Sequence, residues 1–505
     1  MIAVLLVVVL LVVGLIHWYL WKRLVKDTTR TRRARVTGSV VAVLLALVIP
    51  TTLALSRALP HSRQPIVAWP GFLWLALMFY LLVTLLLLEI PRLAIRLWQR
   101  RTASGSGALA GASPSAVPNV RVGSADISDA DVGAGRGHDR AAHVVVPNVS
   151  ANSADISDDQ PREAPDGTAG RGAVPNVRAN RNDISDGAIE GGAVEGDRVE
   201  GDRVEGDRVG GGAAFAAEPP SARAEAAVEK GFDPARRLLL GRSLAITAGA
   251  LSVGAVGIGV YQAMSAPNLK RVPIRLAKLP PSMDGFRIAV VSDIHLGPLL
   301  GRSHTERIVR MINSVDADLV AVVGDLVDGS VAELGAAAEP LQDLRGKHGS
   351  FFVTGNHEYF SGYQEWVDEV NSLGVRVLRN ERVDVLGLDL AGVNDLSGED
   401  VGDGPDFAKA LDGRDADRPV VLLAHQPIQA HEAAERGVDL QLSGHTHGGQ
   451  MVPFNLLVGL QQPVVAGLGQ VDGTQVYVTR GAGFWGPPVR FGAPPDISIV
   501  ELRAG

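Results

Sequence analysis

Residues 287–297 read RIAVVSDIHLG, a short β-branched apolar run that stops on an aspartate and a histidine two positions apart. Such a run is too short for a buried helix and has the length and composition of a buried strand. The same arrangement recurs four times in chain order. LVAVV (319–323) is followed by Gly324-Asp325, and FFVT (351–354) by Gly355-Asn356-His357-Glu358. VVLLA (420–424) is followed by His425, and DLQLS (439–443) by Gly444-His445-Thr446-His447. Amphipathic stretches of helical period separate these runs, so the pattern predicts an α/β domain. In open α/β sheets, ligands bind beyond the carboxyl ends of the strands, where loops converge and the backbone is free to shape a site.

A single aspartate after a strand is ordinarily a helix cap or turn former, and a single histidine is ordinarily satisfied structure. Carboxylate, amide and imidazole at five successive strand ends predict one shared site instead. Asp-x-His and His-x-His spacings let alternate residues converge on one ion. Glycines at 324, 355, 444, 448 and 449 allow sharp turns and close approach. The chain has no cysteine, which excludes thiolate sites, disulfides and a cysteine nucleophile. A mixed carboxylate and imidazole donor set suits Mn, Fe or Zn better than Mg or Ca.

Taken in order, Asp293-x-His295, Gly324-Asp325, Gly355-Asn356-His357-Glu358, His425 and Gly444-His445-Thr446-His447 resemble the motif set of the calcineurin-like metallophosphoesterases, over about residues 270–503. The ending RGAGFWGPPVRFG (480–492), with Gly448-Gly449-Gln450, is similar to the membrane-linked bacterial branch of that family. The resemblance implies a four-layer α/β/β/α sandwich. It also implies two divalent metal ions, one held by Asp293, His295, Asp325 and His447, the other by Asp325, Asn356, His425 and His445, with Asp325 bridging. One departure stands out: Asp328 is followed by Gly329, where many members carry an arginine, so the substrate contact at that position is open.

Outward from this domain the chain changes character. Residues 2–20, 36–56 and 66–88 are apolar and uncharged, each about the 20 residues that cross a bilayer. A cleaved signal peptide is disfavoured for the first, which lacks a basic start and a small-residue cleavage site. These runs predict an all-α transmembrane region over residues 1–101, with Pro50 kinking the second helix. Lys22, Arg23, Lys26, Arg30, Arg32, Arg33 and Arg35 lie between the first two spans, and Arg92, Arg96, Arg100 and Arg101 follow the third. The positive-inside rule places both groups in the cytoplasm.

Residues 102–235 are rich in Gly, Ala, Asp and Ser, a composition unable to bury a core, and predict a disordered linker. Its Val-Pro-Asn-Val (117, 146, 174) and Val-Glu-Gly-Asp-Arg (194, 199, 204) repeats hold too few apolar residues for a solenoid layer. Residues 236–269 then predict a fourth span or signal anchor. Arg236 and Arg237 ahead of it resemble a twin-arginine export signal, against which Lys270, Arg271, Arg275 and Lys278 stand on its far side. The expectation is a multi-pass cell-membrane protein with residues 270–505 outside the cytoplasm.

Two ions about 4 Å apart can acidify a shared water for in-line attack on phosphorus. Asp325 and His357 are the expected catalytic residues, His357 assisting the leaving oxygen because it follows a ligand without being one. Trp485 and Arg490 are candidates for substrate binding, with loop packing as the alternative; His304, His348 and His431 read as surface residues. The net charge of -7 and pI near 6.0 give no basic face for nucleic acid. Neither a P-loop nor a serine-nucleophile elbow occurs. The predicted function is hydrolysis of a phosphoester, phosphodiester or pyrophosphate bond, in a lipid-linked substrate given the membrane tether. The rival readings are a non-catalytic metal-binding membrane scaffold and a signalling or transport protein. The first three spans contain no Asp, Glu, Lys or Arg at mid-membrane depth, which favours anchoring over transport.

Overall fold

The computed structural model describes residues 2–107 and 234–505; the predicted linker repeats lie outside the described residues. Four long helices come first: α1 (Ile2–Trp21), α2 (Arg32–Ala58), α3 (Gln64–Gly107) and α4 (Pro234–Met264). Thr31 caps α2 by accepting from Ala34 N at 3.2 Å, and α2 runs through Pro50 without ending. The helix α3 continues past Arg101, the predicted limit of the membrane region, to Gly107. Among the described residues, three stretches are long and apolar enough to cross a membrane: Arg32–Ala58, His61–Ala94 and Leu238–Met264. The predicted fourth span is shorter than expected at its far end, because Asn268–Leu276 is already strand.

The bundle has two chemically distinct ends. At one, Arg23 pairs with Glu89 at 2.8 Å and Asp27 at 3.1 Å, Arg92 pairs with Glu89 at 3.0 Å, and Arg242 on α4 donates to Thr28 O. In its middle, Thr84 on α3 meets Ser252 on α4 at 3.1 Å. At the other end α4 delivers the chain into the C-terminal domain.

That domain has twelve strands: β1 (Asn268–Leu276), β2 (Arg287–Val291), β3 (Leu319–Val323), β4 (Ser350–Val353), β5 (Arg376–Val377), β6 (Glu381–Val385), β7 (Leu388–Gly392), β8 (Val420–Leu423), β9 (Leu440–Ser443), β10 (Gly467–Val471), β11 (Thr474–Val478) and β12 (Asp496–Ala504). They form two six-stranded sheets, ordered β1-β12-β2-β3-β4-β5 and β10-β11-β9-β8-β7-β6. Neighbours β2 to β5 are parallel, as are β7-β8-β9-β11, with antiparallel pairings at β12-β2, β6-β7 and β10-β11. The helices are α5 (Arg302–Asn313), α6 (Val331–Ala338), α7 (Asn356–Ser361), α8 (Tyr363–Ser372), α9 (Phe407–Leu411), α10 (Ala430–Glu435) and α11 (Asn455–Val458).

Strand alternation explains the layering. Ile288, Val290, Leu319, Ala321 and Val323 face inward onto Leu390, Val421, Leu423, Leu440 and Leu442 of the second sheet. The intervening Ala289, Val291, Val320 and Val322 face outward and are covered by Ile308 and Ile312 of α5, Leu334 of α6 and Trp366 of α8. On the far side Ala391, Val420 and Leu422 are covered by Phe407, Ala410 and Ala433. Both faces of each central strand are buried, which is why these strands read as unbroken apolar runs rather than alternating ones. The result is the predicted four-layer α/β/β/α sandwich, with the five motif-bearing strand ends opening on one edge.

Candidate metal centre

Five strand ends from two sheets meet at this edge: β2, β3 and β4 bring Asp293, His295, Asp325, Asn356 and His357, while β8 and β9 bring His425, His445 and His447. Local backbone makes the convergence possible. Asp293, His295, Asp325, His445 and His447 have φ of 50°, 49°, 53°, 69° and 51°, left-handed conformations that cost non-glycine residues free energy and persist where surrounding structure enforces them. The neighbouring glycines supply the clearance. A Cβ on Gly355 would come within 2.5 Å of the Asp325 backbone nitrogen, and one on Gly324 within 2.5 Å of His425 Nδ1.

Donor atoms of Asp293, His295 and His447 all lie within 4.8 Å of one another, and so do those of Asp325, His425 and His445. Each cluster holds three of the four residues expected for one ion, and a third cluster, His295, Asp325 and His357, brings His357 to the same donors. Asp325 stands between the first two: its Oδ2 is 3.1 Å from His425 Nε2 and 3.8 Å from His295 Nε2. Its Oδ1 accepts from the His357 N–H at 2.9 Å. Asp293 accepts from the His445 N–H at 3.0 Å and from the Ser292 hydroxyl. Asn356 Oδ1 lies 3.0 Å from His445 Nδ1, beside the second cluster.

The donor set fits divalent cations. His425 donates Nδ1–H to Val323 O at 2.8 Å, which directs its fully buried Nε2 into the centre, 3.1 Å from Asp325 Oδ2. His295 is oriented in the same way, its Nδ1 at 2.8 Å from Asp328 Oδ1. Imidazoles held through their other nitrogen are the usual arrangement for metal-binding histidines. Charge tells the same story. Burial alone would depress His295 and His425, but Asp328, Asp325 and Asp293 lift His295 to about 9, and Asp325 with Asp293 lifts His425 well above its ordinary value. Burial would raise Asp325, yet His425, His357 and His295 hold it well below the usual carboxylate range. This cluster of buried carboxylates calls for positive charge.

Three residues without a predicted role organise the site. Glu358 is buried and accepts from the N–H groups of Gly355, Leu326 and Asp325 at 2.6, 2.8 and 3.0 Å, pinning the β3 loop to the β4 loop; burial beside Asp325 pushes its carboxyl up to about 7. Asp328 contacts both His295 Nδ1 and His357 Nδ1 at 2.8 Å. Asp395 accepts from Gln426 Nε2 at 3.0 Å, steadying the residue after His425. The Gly-Asp-x-x-Asp spacing at 324–328 was the one sequence signal for Asp328.

The remaining expectations divide. Trp485 is 58% exposed and its ring lies 5.6 Å from that of His357 at a steep angle, at the open mouth. Arg490 is fully buried. Its guanidinium lies 2.8 Å from His447 Nδ1 and donates to the carbonyls of Gly483 and Ala493, so it supports the loop beside His447 rather than facing solvent. Burial lowers that guanidinium to about 10. His431 and His348 are exposed as predicted, but His304 is buried at 5% exposure in the first turn of α5. The polar helix start concealed it, because α5 turns that side of its first turn inward.

The calcineurin-like phosphoesterase family profile matches residues 286–449. A zebrafish (Danio rerio) transmembrane protein with metallophosphoesterase domain is 40% identical over 259 residues, covering 48% of this chain and 59% of its own. An uncharacterized metallophosphoesterase of Helicobacter pylori strain J99 is 40% identical over 274 residues, covering 54% of this chain and 73% of its own. Another, of Aquifex aeolicus, is 34% identical over 256 residues, covering 49% of this chain and 97% of its own. The chain thus spans about three fifths of the zebrafish relative.

Proposed function

This chain belongs to the calcineurin-like metallophosphoesterases, and from that premise we propose that it is a membrane-anchored, dinuclear phosphoesterase acting on a phosphoester, phosphodiester or pyrophosphate bond of a lipid-linked substrate. The observation that carries the reading is the position of Asp325 Oδ2, shared between His425 and His295. Asp293, His295, Asp325 and His447 would hold one divalent cation, and Asp325, Asn356, His425 and His445 the other. Two such ions, Mn, Fe or Zn on the donor chemistry, acidify a water and neutralise phosphoryl charge.

The chain's own groups do the rest. Asp328 holds His357 through Nδ1, which aims Nε2 at the mouth, where it can donate to the leaving oxygen. Glu358 fixes the backbone on either side of Asp325, so the donors do not reorganise as charge develops. Trp485 and Phe360, 5.6 and 5.8 Å from the His357 ring, form an apolar rim suited to a lipid-bearing leaving group.

In this reading residues 1–101 and 236–269 anchor, residues 102–235 link and residues 270–505 hydrolyse. The catalytic domain is extracytoplasmic: Arg23, Arg92 and Arg242 mark the bundle end opposite the one that enters the domain, and basic ends stay in the cytoplasm. Lys270 and Lys278 oppose export less than their positions suggested, since they pair with Asp496 and Asp439 inside the fold.

The test is the full chain in nanodiscs, stripped and reloaded with Mn, Fe or Zn, against aryl phosphomonoesters, aryl phosphodiesters and a lipid pyrophosphate, beside Asp325→Ala. Turnover that survives the substitution refutes the dinuclear reading; metal uptake without turnover of any substrate favours the scaffold. For orientation, a domain cleaved in intact spheroplasts supports export, and one cleaved only after lysis rules it out.

A further inference from the structure

The C-terminal domain touches the helical bundle at an unexpected depth. Ala76, Phe79 and Tyr80 of α3 pack with Val489, Met451 and Phe491 of the domain. The rings of Phe79 and Phe454 lie 6.4 Å apart, edge to face, and those of Tyr80 and Phe491 5.6 Å apart. On α4, Gly259 O accepts from Arg490 N at 2.9 Å. At 1.5 Å per residue, Phe79 stands about 20 Å along α3 from Ile66 and about 14 Å from Leu88. The contact therefore falls inside the apolar run of α3, not at its end.

A domain face at that depth meets acyl chains unless it is covered, and the residues beside the contact match that environment. In the turn-rich segment FNLLVGL (454–460), Phe454, Leu456, Leu457 and Leu460 are 45%, 70%, 57% and 84% exposed. Four large apolar side chains left open on one short segment form the kind of patch that marks an interaction surface. The segment contains no charged residue.

Resting on the reading that α2, α3 and α4 cross a membrane, we infer that residues 454–460 are an interfacial contact of the catalytic domain with the lipid bilayer. The occupant is lipid because Phe454, at one end of the patch, meets Phe79 inside the apolar run of α3, so the exposed leucines beside it lie at the level of that run. The contact reaches the metal centre directly. Gly449, in the turn that carries His447, leaves no room for a side chain against Asn455 at the start of α11. Gln450 donates to the carbonyls of Trp485 and Pro487 and accepts from the Trp485 N–H. Seating α11 in the interface therefore sets the height of the Trp485 rim, so that a lipid phosphate reaches the site without leaving the membrane surface.

The absence of cysteine makes the test direct. Full-length single-cysteine variants Leu456→Cys, Leu460→Cys, Val43→Cys in α2 and Ala416→Cys in the turn before β8 would carry a nitroxide in phosphatidylcholine/phosphatidylglycerol vesicles. Relaxation by oxygen against a water-soluble nickel chelate reads depth. Labels at 456 and 460 should read as lipid-immersed, relaxed by oxygen more than by the chelate as at Val43, with Ala416 in water. If 456 and 460 read as aqueous while Val43 reads as lipid, the interfacial contact is refuted and the anchor stands. If Val43 is aqueous too, both fall. Dipolar broadening at 456 or 460 would give the patch to a second copy of the chain and overturn the lipid assignment.

Discussion

Substituting Gly355 by alanine tests how tightly the metal centre is built. Its backbone is β-like, so alanine is allowed there, and the conflict is purely steric. The added Cβ would stand 2.5 Å from the Asp325 nitrogen and closer still to its Oδ1, whereas real Cβ contacts below 3.0 Å are essentially unknown. Relief therefore demands that the β3 and β4 loops part by at least about 0.5 Å, the tolerance within which catalytic groups must be held. Overpacking of this kind costs about 1–3 kcal/mol. Misplacement approaching 1 Å lowers turnover about 100-fold. Gly355→Ala should then fold, melt earlier, bind less metal per chain by mass spectrometry, and hydrolyse an aryl phosphodiester about 100-fold more slowly. Gly301→Ala, with nothing within 4 Å of its Cβ, is the control and should keep full activity. A Gly355→Ala protein with wild-type metal content and turnover would refute the claim that Gly355 sets the position of Asp325.

Three further outcomes follow from the site's supports. Asp328→Ala removes the partner of both His295 and His357; losing such a support costs about 10–100-fold in metal affinity or activity, and kcat should fall more than metal content, with partial rescue by Asp328→Asn. Glu358→Gln sets an amide NH2 against at least one of three buried N–H donors; stability should drop by about 1–3 kcal/mol in thermal or chemical unfolding, and an unchanged midpoint would refute the pinning role. His304 is held down to about 4 by burial, against about 6.5 in the unfolded chain. Since the fold favours its neutral form, its contribution is intact above about 6.5 and is lost as pH falls towards 4, about 3 kcal/mol in all. His304→Leu should show a shallower loss of stability over that window than the parent, and identical acid profiles would refute the assignment.

The residues of the candidate metal centre were legible because each follows a strand whose buried faces force an apolar run, and chemistry at the end of such a run has few structural uses. The sandwich followed from the same strands and from the family resemblance. For Arg490 the sequence left substrate binding and loop packing both open; only the fold shows three carbonyls and a histidine closing around it. Glu358 looked like part of a motif, but its three backbone partners come from two loops distant in sequence. Residues 454–460 would pass for a core segment, since hydrophobicity does not say which apolar side chains find protein and which are left for lipid.

The sequence by itself therefore determined the donor set, its order on the strands and the apolar helices that tether it, because these depend on residue type and local period. Tertiary structure alone decided which carboxylates support which imidazoles, that His304 is buried, and that the domain meets α3 within its apolar run. Those facts arise from contacts between segments separated along the chain, whose geometry no local pattern encodes.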